Sequence, residues 1–139
     1  MRRDVILRIG VKLILPFILV FAFYVHLHGD YGPGGGFQAG VIIAGVVILY
    51  ALVFGLAAAK RAVPAALVGR LVPLGVLIYL AAGLPSFLAG KRYLDYTVFS
   101  DDPLHGHEWG VFLVEAGVII TVAATMIAIF YAFADRGRP

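Results

Sequence analysis

The sequence predicts an all-α integral membrane protein with four transmembrane helices and both termini in the cytoplasm. Three observations predict this fold: an apolar composition, four long apolar stretches, and an uneven placement of basic residues. Of the 139 residues, 62% are hydrophobic and 14% are charged, whereas soluble domains carry about 25% charged residues. So few charged side chains cannot cover the surface of a soluble fold, and the composition therefore excludes an ordinary soluble domain.

Each apolar stretch is close to the roughly 20 residues that a helix needs to cross a bilayer. The stretches cover about residues 5–25, 37–59, 71–89 and 110–134, and we interpret residues 1–139 as a single four-helix membrane domain. The first stretch, with Arg2 and Arg3 ahead of it, also resembles a secretory signal peptide. No small-x-small cleavage site follows it, so we expect it to be retained as a span.

The placement of basic residues predicts the orientation. Only Lys91 and Arg92 fall in the first or third connection. The other Lys and Arg residues lie at the N-terminus, in the second connection and at the C-terminus: Arg2, Arg3, Arg8, Lys12, Lys60, Arg61, Arg70, Arg136 and Arg138. Because cytoplasmic segments carry the excess of basic residues, both termini should be cytoplasmic. The third connection, residues 91–109, then lies outside, and its aromatic residues predict an interfacial loop over the helix ends.

A glycine-rich turn joins the first two spans, in the stretch HLHGDYGPGGGFQAG over residues 26–40. Pro33 followed by three glycines cannot continue a helix, so the turn is firmly placed. Gly36, Gly40 and Ala44 then recur at every fourth position, which puts a ridge of small residues on one face of the second helix. Such a ridge lets membrane helices pack with their backbones close together.

Glu115 is the one acid within the predicted spans. It follows Trp109 by six residues, which is about 9 Å along a helix. An acid at that depth pairs with another group, lines a cavity or relays protons. Two interpretations stay open: a residue of an ion or proton pathway, and a protonated carboxyl group that hydrogen-bonds a neighbouring helix for packing alone.

Small residues on the fourth helix form a stripe at Gly110, Gly117, Thr121 and Ala128. Glu115 projects roughly 120° or more away from this stripe, at about 100° per residue. We therefore expect protein on two sides of the helix. We also expect more protein there than three companion helices supply, which indicates a larger assembly.

The four histidines form two pairs, His26 with His28 and His105 with His107, on the outer side. They are compatible with a metal site, with a surface that responds to pH, and with plain structural roles. The chain has no cysteine, which excludes disulfides and thiolate metal ligands. Phe37 and Gln38 follow the glycines where a phosphate-binding loop needs Lys and Ser or Thr. We expect no metal, no cofactor and no nucleic-acid partner.

Residues 26–40 resemble the hallmark stretch of the MnhB-type subunit of the Mrp-type (Mnh or Pha) multisubunit monovalent cation/proton antiporters. The usual pattern of that family is close to H-G-H-x-x-P-G-G-G-F-x-G-G. This chain has Leu27 where glycine is usual and Ala39 at another small position. The length, the four spans and the acid early in the last span also fit, so the resemblance covers essentially the whole chain. Similar modules also occur in membrane-bound hydrogenase and sulfane-reductase complexes.

The resemblance implies a small, non-enzymatic subunit of a Na⁺ or K⁺/H⁺ antiporter in the plasma membrane of a prokaryote, with a part in pH homeostasis. It implies as partners the large A and D antiporter-like subunits, the other small subunits, membrane lipid, and the translocated cation and proton. The chain would serve assembly and line part of the cation path, with Glu115 as the candidate pathway residue. The turn and helix-packing motif would comprise His26, His28, Pro33, Gly34, Gly35, Gly36, Phe37 and Gly40.

Two alternatives of other classes stay open from the residues alone. One is a self-sufficient, homo-oligomeric ion transporter or channel that uses Glu115. The other is a membrane metalloenzyme built on the four histidines, a class for which imidazole clusters are suitable ligands.

Overall fold

The computed structural model describes residues 2–29 and 32–137, with side chains from Asp4 onward. Asp30 and Tyr31 of the glycine-rich stretch and Arg138 near the C-terminus lie outside the described residues, as do the side chains of Arg2 and Arg3. The described elements are α1 (Arg2–His28), α2 (Gly36–Phe54), α3 (Leu56–Ala62), α4 (Ala65–Ala81), α5 (Leu84–Leu88), a turn of 3₁₀-helix (Tyr96–Val98) and α6 (Pro103–Arg136).

Four segments of this described part are long and apolar enough to cross a membrane. They are Asp4–His28, Gly36–Phe54, Ala65–Leu88 and Pro103–Arg136. The predicted all-α class and the number of spans are confirmed. The third segment combines α4 and α5.

The second span was predicted to reach Ala59, and that boundary is wrong. The helix α2 ends at Phe54 because Gly55 adopts a φ of 95°, a backbone conformation that favours glycine. The short helix α3 follows, and Pro64 then caps the start of α4 with φ −60°. The third helix therefore begins at Ala65, six residues before the predicted position.

The last helix also begins earlier than predicted, at Pro103 instead of Gly110. Asp102 is its N-cap, and one carboxylate oxygen of Asp102 accepts a hydrogen bond from the Leu104 amide at 3.1 Å. Proline is favoured in the first turn that follows such a cap. Trp109 consequently belongs to α6, and the predicted interfacial loop is confined to residues 89–102.

The loop of residues 89–102 is tied to the helices by three contacts. The Ser86 hydroxyl donates to the Asp95 carbonyl at 2.8 Å, and the Tyr93 hydroxyl donates to the Leu80 carbonyl at 2.6 Å. Tyr96 packs its ring against Gly110, where a Cβ would collide with it. These contacts fix the loop on α4, α5 and α6.

The helix α6 lies at the centre of the bundle and packs against α2 on one side and α4 on the other, while α1 packs against α2. Between α4 and α6 the backbones are close: a Cβ on Gly117 would lie 2.7 Å from the Tyr79 amide nitrogen. The Thr121 hydroxyl donates to the Val72 carbonyl at 3.1 Å. The chain thus supplies protein on two sides of α6, so the expectation that this packing requires further subunits is wrong.

A core of small and aliphatic side chains lies towards the end of the bundle that carries the termini. Its buried members are Ala44, Ala51, Leu56, Ala59, Val68, Ala124, Ile127 and Tyr131. Three polar contacts tie α3 and its flank to α6 here. The Tyr131 hydroxyl donates to the Val63 carbonyl at 2.9 Å, and Lys60 Nζ lies 2.7 and 2.6 Å from the two carboxylate oxygens of Asp135.

Candidate functional site at the glycine turn

The C-terminal end of α1 is closed by the chain that follows it. The Gly35 amide donates to the Val25 carbonyl at 3.1 Å, and the Gly32 amide donates to the His28 carbonyl at 3.1 Å. A Cβ on Gly34 would lie 2.5 Å from the same Val25 carbonyl oxygen. The turn therefore satisfies carbonyl groups that an exposed helix end would leave unpaired.

Gly35 links this turn to α2. It is the N-cap residue of α2, with φ 120° and ψ −176°, and residues with a side chain rarely adopt this conformation. Its carbonyl accepts a hydrogen bond from the Ala39 amide at 3.1 Å. The helix α2 therefore begins at Gly36, and the backbone conformation of Gly35 sets the direction of the helix axis.

Glu115 of α6 enters the turn from the opposite side. Its Oε2 lies 3.3 Å from His26 Nδ1. Its Oε1 would lie 3.2 Å from a Cβ on Gly35 and 3.3 Å from a Cβ on Gly29. Its backbone carbonyl oxygen would lie only 2.6 Å from a Cβ on Gly36. These three glycines, Gly29, Gly35 and Gly36, form a pocket for Glu115, which we call the glycine cradle.

His26 is the buried partner of this carboxyl group. It is 7% exposed, whereas Glu115 is 23% exposed. The His26 ring also lies against Phe112, with ring centroids 5.4 Å apart. The contact between Nδ1 and Oε2 is short but poorly aligned for a hydrogen bond.

The pair of side chains can hold or exchange a proton. A neutral imidazole has one donor and one acceptor nitrogen, and a carboxylate accepts. Imidazole is also the side chain whose charge changes most readily near neutral pH. The partial exposure of Glu115 leaves the carboxyl group accessible to a proton or a small cation, while the buried His26 fixes one side of it.

The structure brings together only some of the residues singled out in the sequence. His26, Gly35, Gly36 and Glu115 meet at the cradle. Gly40 lies about one turn after Gly36 on the same face of α2, where a Cβ would lie 2.9 Å from Val122 Cβ of α6.

The other members of the motif lie around the cradle. The His28 ring stacks on Tyr24, with centroids 5.3 Å apart. Pro33 is exposed, and Phe37 is 60% exposed on the outer surface of α2.

The second histidine pair belongs to the start of α6. His105 Nδ1 lies 2.9 Å from an Asp102 carboxylate oxygen, and the His107 ring lies against Tyr96. Over residues 2–29 and 32–137, no three His, Asp or Glu side chains come together in a group that could hold a metal ion.

Two residues of the site were missed in the sequence. Gly29 directly follows the last residue of α1, a position where glycine commonly ends a helix. Phe112 precedes Glu115 by three residues and therefore shares its face of α6. Both signals are visible in the sequence, but neither one indicates that the two residues meet.

Comparison with known proteins identifies the family. The family model described as "Domain related to MnhB subunit of Na+/H+ antiporter" matches residues 6–128. The chain belongs to this MnhB family. Among similar proteins, the Na⁺/H⁺ antiporter B subunit of Bacillus subtilis is 30% identical over 133 residues, covering 88% of this chain and 92% of that protein. The protein of the same name from Alkalihalophilus pseudofirmus is 29% identical, with the same coverage of both chains. The MnhB match reaches into all four spans and contains the whole glycine cradle.

Proposed function

We propose that this MnhB-family chain is a small membrane subunit of a multisubunit Na⁺ or K⁺/H⁺ antiporter, and that its glycine turn holds α1, α2 and α6 in the form that assembles. The names of the relatives support a subunit role. The observation that carries the proposal is the cradle, in which Gly36 leaves no room for a Cβ beside the Glu115 carbonyl.

We further propose that Glu115 and His26 line part of the path taken by the cation or the proton. An acid within a membrane span is a functional residue by default. Here the carboxyl group is partly exposed and touches a buried imidazole, which is the chemistry that proton exchange needs.

The proposed setting is the plasma membrane of a prokaryote, with both termini cytoplasmic. The partners are the large A and D antiporter-like subunits and the other small subunits. Basic residues concentrated at one end of the bundle support this orientation. The function is transport rather than catalysis, and we assign no catalytic residue.

Assembly is tested by extracting the tagged chain from its native membrane in mild detergent and weighing the complex by native mass spectrometry. Gly36→Leu should reduce the recovered hetero-complex strongly, because the new side chain would collide with the α6 backbone. Gly45→Leu is the matched control on the same helix, since a Cβ at Gly45 meets nothing within 4 Å. Normal assembly of the Gly36→Leu variant would contradict the packing role.

The same experiment distinguishes the proposed subunit role from the alternative of a self-sufficient transporter. Recovery of the chain alone, or only as copies of itself, would favour that alternative. In that case the purified chain in liposomes should transport protons or cations, and Glu115→Gln should abolish the flux.

A further inference from the structure

A long apolar groove lies between α1, α2 and α3, away from the glycine cradle. Its volume is about 550 Å³, which is in the range of ligand-binding pockets. Its walls are formed by apolar side chains such as Leu15, Leu19, Ile43 and Val47. The side chains of Ala59 and Ala62 on α3 are small, and they leave the end of the groove near α3 open.

Two cations stand at that end of the groove. Lys12 Nζ lies 5.4 Å from the centroid of the Phe54 ring, and Arg8 Cζ lies 5.9 Å from the same centroid. Lys12 also lines the groove with its side chain. Lys60, a third cation nearby, is held instead by Asp135 at 2.6 Å.

The length of α2 gives the depth of these cations in the membrane. From Gly36 to Phe54 the helix rises about 27 Å at 1.5 Å per residue, nearly the whole hydrocarbon thickness of about 30 Å. Phe54 therefore lies at the boundary layer, and Lys12 reaches this layer by extending its ammonium group along the groove. From Tyr50 to Ile43 the groove continues about 10 Å towards the bilayer centre.

We propose that this groove binds an anionic phospholipid of the leaflet at the end that carries the termini. One acyl chain would lie along Leu15, Leu19, Ile43 and Val47, and the phosphate would lie at Lys12 and Arg8. Basic pockets between membrane helices recognise anionic headgroups in this way.

Charge complementarity favours a lipid phosphate as the occupant. The N-terminal segment, the second connection and the C-terminal segment together contain nine Lys and Arg residues but only two acids, Asp4 and Asp135. A neutral helix of another subunit in the groove would cover Lys12 and Arg8 without neutralising them, and an unpaired charge that loses water is costly. A phosphate at the mouth neutralises them while its acyl chain fills the apolar wall.

The occupant is identified by photo-crosslinking in the intact membrane complex. A photoreactive phenylalanine analogue replaces Val47, and the irradiated chain is weighed by mass spectrometry. The expected result is a mass increase equal to a phospholipid. A crosslink to another subunit, or to a second copy of this chain, would overturn the proposal.

Headgroup selectivity is tested on the complex in nanodiscs of equal parts phosphatidylglycerol and phosphatidylcholine, by counting retained lipids in native mass spectra. Phosphatidylglycerol should be retained preferentially. Lys12→Gln should lower its retention about five-fold, the equivalent of roughly 1 kcal/mol per basic residue near an anionic headgroup. The control Arg70→Gln removes an exposed cation of α4, outside the groove, and should change nothing. Equal retention in the two variants would overturn the proposal.

A third variant tests occupancy of the groove at its open end without changing any charge. Ala62 is exposed and lines the groove, so Ala62→Phe should fill it and lower retention of both lipids. Unchanged retention in a correctly assembled Ala62→Phe complex would contradict the site. The crosslinking experiment uses none of these three variants. The proposal can therefore still be refuted if one of them fails to fold.

Discussion

At the scale of single residues, Glu115 and His26 form the proposed site of proton or cation exchange. The acid is held on its backbone side by Gly36 and on its carboxyl side by Gly35 and His26. A protonated carboxyl group that served packing alone would be expected to be fully enclosed by protein. Glu115 is 23% exposed, which favours a group that exchanges a proton or meets a cation.

The variant Glu115→Gln should separate ion transport from assembly. Glutamine keeps the size of the side chain and its hydrogen-bonding capacity but cannot release a proton. We expect the complex to assemble and its antiport activity to fall about 100-fold or more, in the range typical of lost proton-transfer groups. Activity is measured as the cation-dependent collapse of a pH gradient in everted membrane vesicles.

The matched control is Glu108→Gln, which changes an exposed acid two turns earlier on the same helix. It should leave antiport unchanged. Full activity of Glu115→Gln would show that the carboxyl group serves packing only.

The sequence identified Glu115 and the glycine turn separately, and it did not predict that they meet. The depth of the acid and the turn-forming residues are local properties, so both were readable. The distance between Gly35 and Glu115 depends on how α6 packs against the hairpin of α1 and α2, and one sequence contains no such distance. For the same reason the four histidines looked equivalent, whereas His26 alone is buried against Glu115 among the described histidines.

At the scale of elements, α4 and α6 pack with their backbones in close contact. A Cβ on Gly75 would lie 2.7 Å from the Gly117 carbonyl oxygen, whereas a Cβ on Gly69 meets nothing within 4 Å. Gly75→Ala should therefore force the helices apart at a cost of about 1–3 kcal/mol, while Gly69→Ala on the same helix should be tolerated.

These two variants are compared by thermal melting of the detergent-purified complex. The apparent Tm of Gly75→Ala should fall by several degrees relative to Gly69→Ala, and the amount of intact complex should fall with it. Equal Tm values for the two variants would mean that α4 and α6 tolerate a wider separation.

The start of α6 should respond to acid. The pKa of Asp102 is lowered because His105 and the Leu104 amide hydrogen-bond to the carboxylate. A carboxyl group with a lowered pKa stabilises the fold when ionised, above its unfolded pKa of about 3.9. The contribution is lost as pH falls from there through the lowered folded-state pKa, so the cap should persist at neutral pH and weaken only in strong acid.

Hydrogen exchange of the first-turn amides of α6 measures this effect. In the native chain their protection should be constant from pH 7 to pH 5, once corrected for intrinsic exchange. In Asp102→Ala it should be lost across the whole range, because alanine accepts no hydrogen bond from the Leu104 amide. Equal protection in the two proteins would show that Pro103 alone sets the start of the helix.

The ends of helices were predicted correctly where residues typical of turns and helix caps were considered, and incorrectly where they were not. Asp102 before Pro103 is an ordinary helix-start signal, yet the extent of the apolar stretch predicted a start at Gly110. Gly55 gives no comparable signal, because glycine is common inside membrane helices and a φ of 95° cannot be read from the sequence. The apolar stretch therefore looked continuous across the break.

At the scale of the whole molecule, the two ends of the bundle are held by different means. The end that carries the glycine turn depends on the cradle and on the loop over α4 to α6. The opposite end depends on contacts of α3 with α6, including the Lys60–Asp135 pair. An exposed ion pair of this kind contributes only about 0–1 kcal/mol, so the alanine-rich core beside it supplies most of the stability at that end.

The proposed orientation can be tested cleanly because the chain contains no cysteine. A single cysteine at Asp101, in the loop over the outer end, should react with a membrane-impermeant maleimide in intact cells. A cysteine at Arg61, on α3, should react only after the membrane is permeabilised. Labelling in the reverse pattern would invert the topology.

The number of spans followed directly from composition, because hydropathy over about 20 residues decides membrane insertion. The need for partners could not be predicted in the same way. Two-sided packing of α6 looked like evidence for other subunits, and the chain supplies both sides from α2 and α4. The case for an assembly now depends on family membership instead of on unfilled helix faces.

The order of the cradle along the chain has a consequence for biosynthesis. Gly29, Gly35, Gly36 and His26 leave the ribosome long before Glu115, so the pocket can form as soon as α1 and α2 are inserted. A charged side chain at the centre of an inserting helix costs about 3 kcal/mol. When α6 enters the bilayer, we therefore expect the hairpin of α1 and α2 to offer Glu115 a polar partner, His26, that is already in place.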